Sequence, residues 1–262
     1  MAQQQPLPKN KILVAPPVLR FQEEEIPNIF LSSDFHIEHK NILSFTNRGD
    51  VFGDVENMNR GLLASVNTPV LHPKSDPEKL VLIHCGDLLF GSRAQSQSNY
   101  KMIQDALDCY SRVYAVAGNH DRNNILMQHN LIMAYSSNIN DGTKCNTKWY
   151  WNTMFIVEIY RGSKCVAVFT VSHFPMTEFH GSFNIHGHLH SHPGVEPDTE
   201  SHKAWLGWLS TGVHFDCGVD NNNYKPVCLA DILSGKTSIH IENIPQLANL
   251  KFSFNNETEE AE

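Results

Sequence analysis

The sequence predicts an α/β fold with a mixed sheet. Short apolar, β-branched runs alternate with helix-length amphipathic stretches through the first half, while the second half turns to closely spaced strands with short connections. At 262 residues and 41% hydrophobic content, the chain can bury one sizeable core without dividing.

Taken in order, Met1 to Asn10 is rich in Gln and Pro and cannot bury enough apolar area to order itself unaided. Lys11-Ile12-Leu13-Val14 has the composition of an edge strand, which Pro16-Pro17 ends at once. Glu23-Glu24-Glu25 reads as a solvated face. Strands expected near 28–33, 79–84 and 112–117 alternate with helices near 55–66 and 95–109, the second carrying Met102, Ile103, Ala106 and Leu107 on one stripe. This βαβ pattern implies parallel strands. Further strands are expected near 153–160, 164–172, 183–186 and 213–217, with Tyr160-Arg161-Gly162-Ser163 closing a hairpin between the first two. Asn255 to Glu262 is polar and acidic. The expected organisation is a partly disordered N-terminal extension over 1–27, a single domain over 28–245 and a polar acidic tail over 246–262.

Five segments carry the chemistry: Asp34-Phe35-His36, Gly86-Asp87, Gly118-Asn119-His120-Asp121, Ser172-His173-Phe174-Pro175 and Gly187-His188-Leu189-His190. An Asp-x-His alone is more often a turn than a ligand set, and Gly-Asp after a strand commonly bonds its own backbone. Gly-Asn-His-Asp is more specific, and Gly-His-x-His places two imidazoles on one face of an extended segment. Asp34, Asp87 and Asn119 each follow an apolar run, so three strand ends deliver three candidate ligands, where open α/β sheets place their sites. Together the segments supply carboxylate, imidazole and amide ligands for two adjacent metal ions. Two divalent ions about 3.5–4 Å apart can clamp both oxygens of an in-line phosphoryl displacement and lower the pKa of a bridging water. Phosphate-ester hydrolysis is therefore the expected chemistry, with Asp87 the best candidate for a bridging carboxylate.

On these motifs the chain resembles the calcineurin-like metallophosphoesterases, and more narrowly the small stand-alone phosphoesterases of bacteria and their phages. The likeness extends to Ser33 through Ile42, Asn47-Arg48, Ser172 through Met176, His186 through Ser191, and Gly218-Val219-Asp220 to Tyr224-Lys225-Pro226-Val227, covering roughly residues 28 to 233. It implies a four-layer α/β/β/α sandwich of two mixed sheets. It also implies that Asp34, His36, Asp87 and His190 hold one metal, and that Asp87, Asn119, His173 and His188 hold the other. His120 would protonate the leaving oxygen, and His39 and Arg48 would lie near the substrate phosphate. The cofactors implied are two divalent ions, Mn²⁺ first, with Fe²⁺, Zn²⁺, Ni²⁺ and Co²⁺ compatible with mixed N/O donors. Where the Ser/Thr protein phosphatases of this superfamily carry a further Asp-Arg-Gly, this chain has Leu88-Leu89-Phe90-Gly91, which argues against a phosphoprotein substrate. Asp121 could orient His120 or hold the loop backbone.

A net charge of −8 argues against a broad phosphate-binding surface and hence against extended duplex nucleic acid as a partner. Six cysteines without a Cys-x-x-Cys pair, and an N-terminus without the pattern of a signal peptide, suggest free thiols in a reducing cytoplasm. No apolar stretch is long enough to span a bilayer, so no membrane partner is expected. His84 and His186 precede motif glycines, either orienting ligands or sitting as satisfied core histidines. His192 and His202 could line the pocket mouth, and Trp205 and Trp208 pack or stack. The expected function is a phosphodiesterase acting on a small nucleotide-like or other organic phosphate. The alternatives are a nuclease acting on DNA or RNA ends, and a catalytically silent binding module.

Overall fold

The structure, a computed structural model, describes residues 15–90, 96–121, 149–190 and 212–234. Two five-stranded mixed sheets form its framework. The first takes β2 (Ile29–Ser32), β3 (Val81–His84), β4 (Arg112–Val116) and β5 (Trp149–Asn152), paired in parallel, with the two-residue β10 (Val227–Cys228) antiparallel on the β2 edge. The second has the order β1 (Val18–Gln22), β6 (Met154–Arg161), β7 (Lys164–Ser172), β8 (Asn184–His186) and β9 (His214–Asp216); only β6 and β7 pair antiparallel. Every residue of β2 and β3 is buried, which is why their sequences read as continuous apolar runs rather than alternating ones.

The sheets meet through aromatic contacts. Tyr114 on β4 touches Phe21 on β1 edge-on at 6.3 Å and Phe155 on β6 at 5.9 Å, tying both sheets into one core. Helices α1 (Ile42–Phe45), α2 (Arg48–Phe52), α3 (Val55–Asn67), α4 (Ser96–Ala106) and α5 (Leu229–Leu233) complete the α/β architecture. The carboxylate of Asp54 caps α3 by accepting from the Asn57 amide at 2.7 Å. Met58, Leu62 and Val66, four residues apart, bury one face of that helix. From the same face Asn59 reaches the loop after β2, accepting from the Glu38 amide and donating to the Glu38 carboxylate.

The hairpin closes as expected, with Gly162 at φ +60° in the turn between Arg161 and Lys164. Several elements differ from expectation. Val18–Gln22, just beyond Pro16-Pro17, forms an edge strand, because the Pro17 carbonyl can still accept from the Ile156 amide (3.0 Å). The glutamate run is not a purely solvated face: Glu23 pairs with Arg161, and Glu25 accepts from the Gln22 amide and contacts Arg112 at 3.2 Å. Trp149–Asn152 forms a strand of its own before β6. The expected strand at Lys11–Val14, the acidic tail, His192, His202, Trp205 and Trp208 lie outside the described residues. Among the described residues, no helix is long and apolar enough to cross a membrane.

Candidate metal centre

The candidate ligands sit on loops that leave the carboxyl ends of β2, β3 and β4 in one sheet and β7 and β8 in the other. Backbone bonds stitch these loops together. Asp34 N donates to Gly86 O and His36 N to Asp87 O, both at 2.9 Å, while Gly187 N donates to His173 O at 3.1 Å. Across the sheets, the His188 amide donates to Asp34 Oδ2 (2.9 Å), and Val219 N donates to Ser33 O (3.2 Å). There is no room for a side chain where the loops cross. A Cβ on Gly118 would lie 2.1 Å from Asp87 Oδ1, and one on Gly187 would lie 1.9 Å from Ser33 Oγ.

Three donor clusters result among the described residues. Asp34, His36 and His190 form the first, Asp87, His173 and His188 the second, and His36, His39 and His120 a third that shares His36 with the first. In the first, His36 Nε2 and His190 Nε2 face each other at 3.1 Å, each 4.0 Å from Asp34 Oδ1. That carboxylate oxygen is buried and has no hydrogen-bond partner. In the second, His173 Nε2 lies 2.9 Å from Asn119 Oδ1. Asp87 Oδ2 lies between these two clusters, 3.5 Å from His36 Nε2 and 3.4 Å from His173 Nε2. A buried, orphaned carboxylate oxygen and imidazole nitrogens turned toward one another make poor sense as a hydrogen-bond network. They fit a site built to hold two cations with mixed N/O donors.

The backbone carries the same signature. Of the eight non-glycine residues with positive φ among the described residues, five are Asp34, His36, Asp87, His188 and His190. Each such conformation costs about 1–3 kcal/mol and persists where the surroundings over-determine it.

Other groups fix the donors. A carbonyl can only accept, so His173 Nδ1 must donate to Cys85 O (2.9 Å), which turns Nε2 toward the site. His190 Nδ1 is held by Asp220 Oδ2 at 2.7 Å. Asp220 in turn takes both prongs of Arg48, Nε at 2.8 Å and Nη2 at 2.7 Å. Asp121 accepts from three amides, Asp87 (2.7 Å), Leu88 (3.1 Å) and Gly118 (2.9 Å), so of its two expected roles the structure shows the backbone one. His84 Nδ1 accepts from Gly86 N, and His186 Nδ1 donates to Gly187 O; both act on the motif backbone rather than on a ligand ring.

Charge is strongly perturbed here, as at many functional sites. Burial pushes Asp34 up to about 6 despite the attraction of His190 and His173. Burial opposes charge on His173, but the hydrogen bond and charge of Asp87, with Asp34, raise it to about 9. Burial and then His173 lower His188 to about 4, and burial with His190 nearby lowers His36 well below its usual value. Asp220 is held below the carboxylate range because Arg48 and His190 outweigh its burial.

His120 Nε2 lies 4.0 Å from Asp87 Oδ2 on the open side, with its amide donating to Asp87 Oδ1 at 2.8 Å. His39 Nδ1 accepts from the Ile42 amide (3.1 Å), which leaves Nε2 as an N–H donor. It borders His36 and His120, yet an Nε2–H suits an anion better than a metal. Arg48, expected near the substrate phosphate, is placed among protein groups instead. It is 0% exposed, bonded to Asp220 and to the carbonyls of Asp34 (2.6 Å) and Phe35 (2.9 Å), and so supports the ligand loop from beneath. Asp220 belongs to a recognised stretch, but its pairing with residues 30 and 172 positions away in sequence has no local signal.

The sequence matches the calcineurin-like phosphoesterase family over residues 27–222. It is 25% identical over 210 residues to the uncharacterized protein MJ1445 of Methanocaldococcus jannaschii, covering 77% of this chain and 86% of that protein. The crystal structure of AQ665, a protein of unknown function from Aquifex aeolicus, aligns at a TM-score of 0.47 and 20% identity, covering 78% of this chain and 96% of that one.

Proposed function

The chain belongs to the calcineurin-like phosphoesterase family, and from that premise we propose that it is a dimetal phosphodiesterase for small nucleotide-like or other organic phosphates. Asp34, His36, Asp87 and His190 would hold one divalent ion, and Asp87, Asn119, His173 and His188 the other, with Mn²⁺ the ion we assign first. Such a pair supplies Lewis acidity toward phosphoryl oxygens and activates water at neutral pH. The observation that carries the reading is the position of Asp87 Oδ2, about equally far from His36 and His173.

The chain's own groups supply the rest. His120 reaches past Asp87 on the open side and delivers a proton to the leaving oxygen from Nε2. His39 donates its Nε2–H to a phosphate oxygen, in a pose held by the Ile42 amide. Asp121 keeps the loops of Asp87 and His120 in register, and Asp220 with Arg48 fixes the ring of His190. The chain's net charge of −8 favours compact anions drawn by local cations over polyanions drawn by a basic surface.

The test is an assay of the purified protein with Mn²⁺ and with chelator. Substrates are bis(p-nitrophenyl) phosphate, p-nitrophenyl phosphate, a cyclic nucleotide and a single-stranded oligonucleotide. The reading expects diester hydrolysis that chelation abolishes. No turnover of any substrate by a protein carrying two metal ions per chain would overturn it. Efficient, strongly salt-dependent cutting of the oligonucleotide with poor use of the small diester would turn the assignment toward a nuclease.

A further inference from the structure

The exposed large hydrophobic side chains among the described residues include three phenylalanines, and the ring of each lies close to a histidine of the candidate site. Phe90, on the loop after β3, is 37% exposed. Its ring lies over His39 at 3.9 Å and 5.2 Å from His120. Phe45, at the end of α1 and 72% exposed, stands 6.3 Å from His39 on the same side. Phe174 is 46% exposed and borders the second cluster, 4.5 Å from the His188 ring and 4.9 Å from His173.

Both inner rings sit on pinned backbone. Phe90 N donates to Ile37 O at 2.8 Å, and Phe174 O accepts from Ser172 Oγ at 2.7 Å. Single exposed apolar residues are ordinary on a protein surface. Here, though, one exposed ring borders His39 and His120 and another borders His173 and His188 of a single polar site, and that is an arrangement for gripping something flat.

We propose that Phe90 and Phe174 form an aromatic clamp for a phosphodiester carrying a planar ring on each side of the phosphorus, as a dinucleoside phosphate does. The inference rests on the phosphodiesterase reading and names its substrate class. The leaving alcohol is the one whose oxygen His120 protonates, so its ring lies on Phe90, with Phe45 closing the outer edge. The ring of the retained alcohol lies on Phe174. Stacking of a base on an aromatic side chain tolerates any base, so the clamp selects for flat groups rather than for one sequence.

The test is calorimetric binding of two non-hydrolysable probes, dibenzylphosphinate and diethylphosphinate, in which CH₂ replaces each ester oxygen of diphenyl and dimethyl phosphate, to the Mn²⁺-loaded protein and to Phe90→Ala, Phe174→Ala and the double variant, with metal content measured for each. The wild-type chain should prefer dibenzylphosphinate by about tenfold or more. Each single variant should lose about threefold or more of that preference, and the double variant should approach parity. Equal binding of both probes by the wild-type chain, or a preference that survives in a double variant still carrying both metals, overturns the clamp. The readout does not need turnover. A preference without diester hydrolysis upholds the clamp and counts against the phosphodiesterase reading, whereas hydrolysis without preference does the reverse.

Discussion

Replacing Asp220 with Asn removes one negative charge from a buried chain of three groups. Arg48 is wholly buried, and Asp220 supplies its only carboxylate contact among the described residues, through bonds of 2.7 and 2.8 Å. Deleting one partner of a buried ion pair costs about 3–5 kcal/mol, because the remaining charge is left uncompensated. Asn keeps one acceptor oxygen, so the lower end, about 3 kcal/mol, applies here. A second effect is separable, because Asp220 also holds Nδ1 of His190 at 2.7 Å. Loss of such a partner lowers metal affinity by about 10–100-fold. Urea unfolding in chelator measures the first effect, and metal titration of the folded protein the second. The double variant Arg48→Met with Asp220→Leu should recover much of the stability but not the metal affinity, because it removes the buried charge yet leaves His190 unheld. A destabilisation below about 1 kcal/mol with unchanged metal affinity would refute the reasoning.

His120→Asn should keep both metals and lower the rate by about 10²–10⁴ for a poor leaving group, with a smaller loss for p-nitrophenolate; loss of metal together with equal losses for both would make His120 a ligand. Asp121→Ala leaves three loop amides without their charged acceptor, each such bond being worth about 1.5–3 kcal/mol, so chelated protein should unfold at markedly lower urea; an unchanged midpoint would show that these bonds are dispensable. His84 is buried with its pKa lowered to about 3 by desolvation. The unfolded chain, titrating near the ordinary histidine value of about 6.5, therefore binds the extra proton first. Stability in chelator should fall as pH drops from that value toward about 3, at up to about 1.4 kcal/mol per unit, and His84→Gln should flatten that part of the profile.

Much of the fold was legible because burial leaves local marks. The fully buried β2 and β3 read as apolar runs, α3 as a helix-length stretch between two of them, and the hairpin as a glycine turn. Val18–Gln22 was missed because a proline pair argues against a strand unless its carbonyl, rather than its absent N–H, faces the partner. The candidate ligands were legible for a different reason. They follow strand ends at short, fixed spacings, and the structure brings Asp34, His36, Asp87, Asn119, His173, His188 and His190 together. Arg48 could not be placed from sequence. Its residue type suits a phosphate contact, and only the fold shows that Asp220, 172 residues on, already pairs with its guanidinium. Asp121 was ambiguous for the same reason, since its three amide partners include two more than 30 residues away.

The account centres on Asp87 as the carboxylate shared by two metal sites. Metal content of Mn²⁺-reconstituted wild-type protein and of Asp87→Ala, measured beside diester hydrolysis, tests that directly. The account predicts two ions per chain in the wild type, and in the variant loss of at least one ion with no detectable turnover. An Asp87→Ala protein that holds two ions and turns over at near-normal rate would contradict it.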